Sequence, residues 1–191
     1  MELFTGLVCV GVGALGLAIL YALLYNSLIG KKNQVEYAYS GVDVQLKKRH
    51  DLIPNLVATV KQYMQHERAL LERITELRSR ALSPNLPENE RMQIEGALSA
   101  ALRNLMIAVE NYPQLRANEN FLHLQASLNE IEEQIAAARR AYNAAVTDYN
   151  NAIEMFPTNL VAATMGLRRR PVFEAEEHER ATPSVSQLFQ Q

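Results

Sequence analysis

The sequence predicts an all-helical membrane protein, in which an N-terminal transmembrane helix precedes an antiparallel, coiled-coil-like bundle of three long helices and a short fourth. Three observations predict this fold class. The first is an uncharged, mostly apolar run of 28 residues from Leu3 to Gly30. The second is a heptad repeat of apolar residues in three separate segments. The third is that proline and glycine are confined to a few places, which divides the chain into long pieces.

The apolar run is long enough to cross a bilayer, since about 20 helical residues span a hydrocarbon core about 30 Å thick. A cleavable signal peptide would carry basic residues before a shorter apolar region, but only Glu2 precedes this run. Lys31 and Lys32 end it. We therefore expect residues 1–30 to form an uncleaved anchor, with Cys9 as an apolar residue inside the membrane.

Basic residues follow the apolar run, and none precedes it. Because Lys and Arg near a span stay on the cytoplasmic side, the flanks predict the orientation of a single-pass membrane protein. Its N-terminus would lie outside and its C-terminal domain in the cytoplasm. The basic residues expected near the lipid bilayer, where they would attract anionic lipid, are Lys31, Lys32, Lys47 and Lys48.

Beyond the anchor, apolar residues recur at alternating steps of three and four, which is the spacing of helices that pack along one face. The repeat covers residues 39–81, 94–112 and 121–156. We expect one long helix from each segment, packed side by side at about 20°. The first would be kinked at Pro54 but not broken there, because the repeat keeps its phase across the proline.

Capping residues and prolines predict the helix boundaries. The second helix should begin near Pro87, and Asn118 should cap the third. Pro157 should end the third helix, after which residues 159–165 predict a short apolar helix that stops at Gly166.

These boundaries define three parts of the chain. Residues 1–30 are the anchor, residues 31–167 the helical bundle domain, and residues 168–191 a C-terminal tail. The tail is rich in Glu, Ser, Thr, Gln and Pro, so we expect most of it to be mobile.

Two charged residues, Arg49 and Glu67, interrupt the apolar positions of the first repeat. Their heads could reach water while their stems cover apolar surface. Alternatively, they meet opposite charges or a partner surface and fix the register of the helices. Both interpretations make them architectural.

No pattern for catalysis or for cofactor binding stands out. A di-iron bundle uses Glu-x-x-His on two helices, and the nearest approach, Glu119 with His123, is one residue too wide. No nucleophile elbow, phosphate loop or dinucleotide loop is present, and a net charge of -2 does not favour nucleic acid. We therefore expect no enzyme activity, cofactor, metal or nucleic-acid partner. The histidines are expected at the surface or rim: His50, His66, His123 and His178.

Four blocks of the chain are similar to the LemA family. They are LKKRHDLIPNLV at 46–57, ENYPQLRANENF at 110–121, ARRAYNAAVTDYN at 138–150 and FPTNLVA at 156–162. The resemblance implies a single-pass, N-out protein of the bacterial inner membrane, with a cytoplasmic antiparallel bundle and no catalytic residues to carry over. A branch of similar proteins is associated with forming magnetosome membranes. The signature residues are interpreted first as structural polar packing: Arg49, Asp51, Pro54, Asn55, Tyr112, Asn120, Arg139, Tyr142, Asn143, Tyr149 and Asn150.

The leading functional hypothesis is a membrane-anchored, non-enzymatic scaffold that forms homo-oligomers and organises or shapes the membrane. Ala14, Ala18 and Ala22 recur every four residues in the anchor, a spacing that lets helices approach closely. The alternative is a membrane-tethered adaptor that presents its bundle to a cytoplasmic partner, such as a protease or signalling enzyme.

The third repeat gives a prediction about stability. Leu128, Ile131 and Ile135 should face the bundle core, so Ile131→Ala should be costly. Glu132, one position off the repeat, is expected on the surface, where truncation to alanine should matter little.

Overall fold

A computed structural model describes residues 1–173, except for the side chains of Leu3, Val8 and Cys9. The described region is all-helical, as the sequence predicts. The predicted tail beyond Phe173, His178 within it, and the predicted environment of Cys9 lie outside the described residues. The helices are α1 (Glu2–Lys61), α2 (Arg68–Ala81), α3 (Glu88–Val109), α4 (Pro113–Arg116), α5 (Glu119–Glu154) and α6 (Thr158–Thr164).

The chain divides into two compact units that share helices α1 and α5. The stem unit consists of Met1–Gln45 and Ile135–Val172. The bundle unit consists of Leu46–Gln134 and Phe173–Gln191. In the second of these segments, the structure describes only Phe173.

In the stem unit, the C-terminal part of α5 runs antiparallel to α1. Tyr39 packs on Tyr142 with ring centroids 5.6 Å apart, and Leu28, nearer the N-terminus, packs by Ala152. Helix α6 completes this core, because Val161 and Ala162 enclose the fully buried Leu28. The short helix predicted after Pro157 is therefore confirmed.

The bundle unit is built from the end of α1, helices α2, α3 and α4, and the first part of α5. One apolar core joins them, and each fully buried Leu or Ile in it contributes about 1.5 to 3 kcal/mol. Its most buried side chains are Ile53, Leu56, Val60, Met64, Ile74, Leu98, Leu105, Leu115 and Phe121.

The first long helix predicted through Ala81 is wrong, because α1 ends at Lys61 and α2 begins at Arg68. The residues between contain no glycine or proline, which are the usual local signals for a turn. Helix α2 folds back so that Leu71, Ile74, Leu77 and Ala81 enter the core. Residues on both sides of the turn, such as Val60 and Leu71, face this core.

Other boundaries agree with the sequence. The Oδ1 of Asn118 accepts the backbone N–H of Phe121 at 3.0 Å, which caps α5. Helix α3 begins directly after Pro87. Gly166 has a φ of 63°, and the backbone N–H of Leu167 reaches the carbonyl of Ala162, so a left-handed glycine ends α6.

From Phe4 onward, α1 is long and apolar enough to cross a membrane. In the 18-residue window of α1 with the highest mean hydropathy, none of the described side chains is buried within the protein. Large side chains such as Phe4, Leu7, Leu17 and Leu23 are exposed, in contrast to the apolar residues of the core.

Candidate functional site

Arg49 is the centre of a buried polar cluster in the bundle unit. Its side chain has no exposed surface. Its Nη2 pairs with Oε2 of Glu95 on α3, and its Nη1 donates to Oε1 of Glu132 on α5 at 2.8 Å. Nη1 also donates to the hydroxyl of Ser99. Of the two interpretations of Arg49, the structure therefore shows the one in which it meets opposite charges.

His50 adds a second contact from α1 to the same carboxylate. Its Nε2 lies 3.0 Å from Oε1 of Glu95 and 3.3 Å from Oε2. An ionised carboxylate only accepts hydrogen bonds, so Nε2 carries the hydrogen and donates it. The prediction of a surface or rim position is therefore wrong for His50, which is 5% exposed, whereas His66 and His123 are exposed as expected.

Glu95 is ionised despite being 1% exposed. Burial alone would raise the pKa of this carboxyl group. The hydrogen bond from His50 and the positive charge of Arg49 outweigh burial and hold the pKa of Glu95 below its ordinary value of 4.5. The cluster therefore keeps a negative charge inside the bundle by surrounding it with donors.

Glu132 belongs to the cluster and is not the surface residue that the repeat predicted. Besides its contact with Arg49, its Oε2 accepts from the Ser99 hydroxyl at 3.2 Å. Its side chain is 31% exposed, so it lies where the cluster approaches solvent. Ile131, predicted to be in the core, is only half-buried, whereas Leu128 and Ile135 are buried as predicted.

Glu67 behaves differently from Arg49. It precedes α2 directly, and its backbone carbonyl accepts the N–H groups of Leu70 and Leu71. The interruption of the repeat at Glu67 therefore marks the turn between α1 and α2, while the interruption at Arg49 marks a buried ion pair.

Pro54 lies inside α1 without ending the helix, as predicted. Since proline has no N–H, the carbonyl of His50 four residues earlier loses its helical donor. Nε of Arg78, on α2, donates to that carbonyl at 2.7 Å. Arg78 thus replaces the missing hydrogen bond and attaches α2 to α1 at the level of the buried cluster.

A second set of polar contacts lies in the stem unit and holds the segment 168–171 against α5. The Tyr142 hydroxyl donates to the carbonyl of Pro171 at 3.1 Å, and the Tyr149 hydroxyl to that of Arg168 at 3.1 Å. Asn150 makes two bonds to the backbone of Arg170, at 3.0 and 2.9 Å. Burial raises the pKa of Tyr149 against the opposing charge of Arg170, so its hydroxyl stays a donor.

The predicted signature residues do not form one site. Arg49, Tyr142, Tyr149 and Asn150 are buried, and Tyr112, Arg139 and Asn143 are half-buried. The remaining four are exposed: Asp51, Pro54, Asn55 and Asn120. Asp51 pairs on the surface with Lys47 at 3.0 Å, a contact worth at most about 0.5 kcal/mol.

The basic residues predicted near the membrane lie in different units. Lys31 and Lys32 belong to the stem unit together with the apolar part of α1, whereas Lys47 and Lys48 belong to the bundle unit. Sequence reasoning missed Arg168, Arg169 and Arg170, because it assigned them to a mobile tail.

The buried cluster joins three helices by directed contacts. Residues 1–173 contain no group of three or more side chains placed to hold a metal ion. A shift of α1 along α3 would separate Arg49 from Glu95 and leave a charge unpaired in the core, which costs about 3 to 5 kcal/mol. The arrangement therefore fixes the register of α1, α3 and α5.

A sequence model of the LemA family matches residues 38–187. The chain belongs to the LemA family. The matched region contains both polar clusters and begins after the apolar part of α1. Membership of the LemA family thus agrees with the four sequence blocks that first suggested it.

Relatives of the chain include a protein named LemA and proteins named as magnetosome proteins. The chain is 26% identical to Protein LemA of Metamycoplasma hominis, over 85% of this chain and 74% of that protein. It is 26% identical to Magnetosome protein MamQ 2 of Paramagnetospirillum magneticum, over 87% and 71%. It is 24% identical to Magnetosome protein MamQ of Magnetospirillum gryphiswaldense, with the same coverage. The apolar helix and these relatives fit a membrane protein.

Proposed function

We propose that this LemA-family chain is a membrane-anchored scaffold that assembles with copies of itself and organises or shapes the bilayer. The apolar part of α1 would span the inner membrane with its N-terminus outside. The helices beyond it would lie in the cytoplasm, because Lys31 and Lys32 follow the span and no basic residue precedes it. This function would be non-enzymatic.

The observation that carries the proposal is the exposure of large apolar side chains of α1 between Phe4 and Leu23, on a helix that continues without interruption to Lys61. Exposed apolar surface of this size is stable only against lipid or another apolar surface. Relatives named magnetosome proteins support a role at membranes.

Self-association is tested by changing the size of residues on opposite faces of α1. Ala18 lies on the small-residue face with Ala14 and Ala22, and all three are exposed. Gly16 lies about 200° around the helix from Ala18, and a side chain added there would meet nothing within 4 Å. Ala18→Leu and Gly16→Leu are therefore matched substitutions.

We would measure the particle mass of the full-length protein in mild detergent over a range of concentrations. The native chain and Gly16→Leu should form oligomers, and Ala18→Leu should shift the population toward monomers. A chain that is monomeric at every concentration contradicts the scaffold. Electron microscopy of vesicles with and without the protein would show whether assembly changes their shape.

A groove in the bundle unit favours the second candidate, an adaptor for a cytoplasmic protein. It lies where α1 turns into α2, has a volume of about 600 Å³ and is lined by Val57, Lys61, Met64, Gln65, Arg68, Leu71, Glu72 and Thr75. Crosslinking in native membranes would distinguish the candidates. A stoichiometric second protein supports the adaptor, and self-crosslinks alone support the scaffold.

A further inference from the structure

The corner between α5 and α6 exposes three large apolar side chains in the stem unit. Phe156 is 79% exposed, Met155 64% and Leu160 61%. On the face of α6 that packs on α1, Val161 and Ala162 are buried against Leu28. Helix α6 therefore has one apolar face that packs on α1 and one apolar side chain, Leu160, that faces outward.

Contacts with α1 place this corner beside the end of the uncharged run. Helix α6 packs on Leu24 and Leu28, and the hydroxyl groups of Tyr21 and Thr164 lie 3.2 Å apart. All three α1 residues precede Lys31. Apolar side chains at the corner are thus level with apolar α1 residues and not with the charged part of the helix.

The length of the run indicates what surrounds the corner. A helix of 28 residues is about 42 Å long, which matches a bilayer of about 40 to 45 Å including its headgroups. The last turns of the run therefore fall in the interface on the side of the folded units. Tyr21 and Tyr25, whose rings stack with centroids 6.4 Å apart, are typical of that layer.

Cations lie on the side of the corner away from the apolar run. Lys31 and Lys32 follow the run on α1. Arg168, which is exposed, follows α6 and is held to α5 through Tyr149. The neighbouring arginines are partly neutralised, since Arg169 pairs with Glu154 at 2.8 Å and Arg170 with Glu36 at 3.7 Å. Apolar groups followed by cations match the order of acyl chains and anionic headgroups.

We propose that the α5–α6 corner is a second membrane contact, which inserts Met155, Phe156 and Leu160 into the interface of the leaflet next to the folded units. This proposal rests on the membrane anchoring proposed above. Apolar side chains that enter this interface typically lie about 5 to 10 Å deep, at the boundary between headgroups and acyl chains. The corner would fix the tilt and rotation of α1, since a span held at one side cannot turn freely in the bilayer.

The test measures the membrane depth of single positions in the full-length protein. The only cysteine is first removed by Cys9→Ala. Phe156→Cys and Leu160→Cys report on the corner, and Leu17→Cys, 70% exposed, reports on the span. Val44→Cys is the matched control, because Val44 is a 55% exposed apolar residue of the same unit beyond the charged residues that follow the run.

Each variant is labelled with an environment-sensitive fluorophore and placed in phosphatidylcholine–phosphatidylglycerol vesicles. Nitroxide quenchers are carried on the headgroup, at a shallow acyl position or at a deep acyl position. We expect deep quenching at position 17, shallow acyl and headgroup quenching at 156 and 160, and no quenching at 44.

If position 17 is quenched but 156 and 160 behave like 44, the docking proposal is overturned while anchoring stands. If position 17 is not quenched, anchoring itself fails. Emission at 156 and 160 that changes when the protein is diluted with lipid, without any quenching, would assign the corner to a second copy of the chain and overturn the lipid contact.

Discussion

Buried polar groups have different kinds of partner in the two units. The bundle unit places ionised side chains from different helices against each other, with Arg49 facing Glu95 and Glu132. The stem unit uses neutral phenol and amide groups, and Tyr149 and Asn150 bind the backbone of a passing segment. Breaking a buried charged pair is strongly destabilising, so the pair fixes the register of its helices. Losing a neutral hydrogen bond to the backbone destabilises the protein less.

The largest expected effect comes from removing the shared cation of the bundle unit. Arg49→Met leaves two carboxylates near the core without their partner, so stability should fall by about 3 to 5 kcal/mol. Thermal unfolding of the full-length protein in detergent, followed by circular dichroism, measures this loss. Lys48→Met, on the exposed surface beside it, is the control and should melt close to the native chain.

The double variant Arg49→Met, Glu95→Met separates the loss of an attraction from the cost of an orphaned charge. It should be more stable than Arg49→Met alone, because both ionised groups of the pair are gone. A double variant less stable than the single one would contradict this account, because it would mean that Glu95 still stabilises the bundle when Arg49 is absent.

The next effect tests the residue that the heptad repeat placed wrongly. Glu132→Ala removes an acceptor from both Arg49 and Ser99, which should cost about 1 to 3 kcal/mol. Glu133→Ala, at the exposed neighbouring position, should have little effect. Equal melting temperatures for the two variants would mean that Glu132 is only a surface residue.

These residues show where sequence reasoning succeeds and where it stops. Asn118 and Gly166 were predictable because their chemistry acts within one turn of backbone. The turn after Lys61 was not, because burial of α2 in the tertiary core outweighs the local preference to continue a helix. The partners of Arg49 depend on which helices are neighbours, although an arginine on an apolar repeat is itself a signal that a facing helix carries an acid.

In the stem unit the expected loss is smaller, since the bonds are neutral. Asn150→Ala removes two hydrogen bonds to the backbone of Arg170 and should cost about 1 to 2 kcal/mol. Its exposed neighbour gives a matched control, Asn151→Ala, which should behave like the native chain. Faster proteolysis near residues 168–171 in Asn150→Ala alone would locate the effect, and unchanged proteolysis would contradict this role for Asn150.

The last prediction concerns the pH dependence of stability, which distinguishes the charged cluster from the neutral one. Its effect is the smallest near neutral pH. The pKa of folded Glu95 lies below its ordinary value of 4.5, so in that range the unfolded chain binds more protons than the folded one. The stabilisation is complete above pH 4.5 and is lost as the pH falls through the folded pKa. Tyr149 has a raised pKa and does not titrate in this range.

Melting temperatures measured from pH 7 down to about pH 3 should therefore fall more steeply for the native chain than for Glu95→Gln, with the curves parallel above pH 5. The side chains that face Glu95 are those of Arg49, His50, Ser99 and Glu132. Glu133 is exposed and lies outside this cluster, so Glu133→Gln serves as the control for general acid titration and should keep the native slope. If Glu95→Gln also keeps the native slope, Glu95 is not held ionised by its neighbours. The register of the bundle would then depend on apolar packing, as it does around Leu28 in the stem unit.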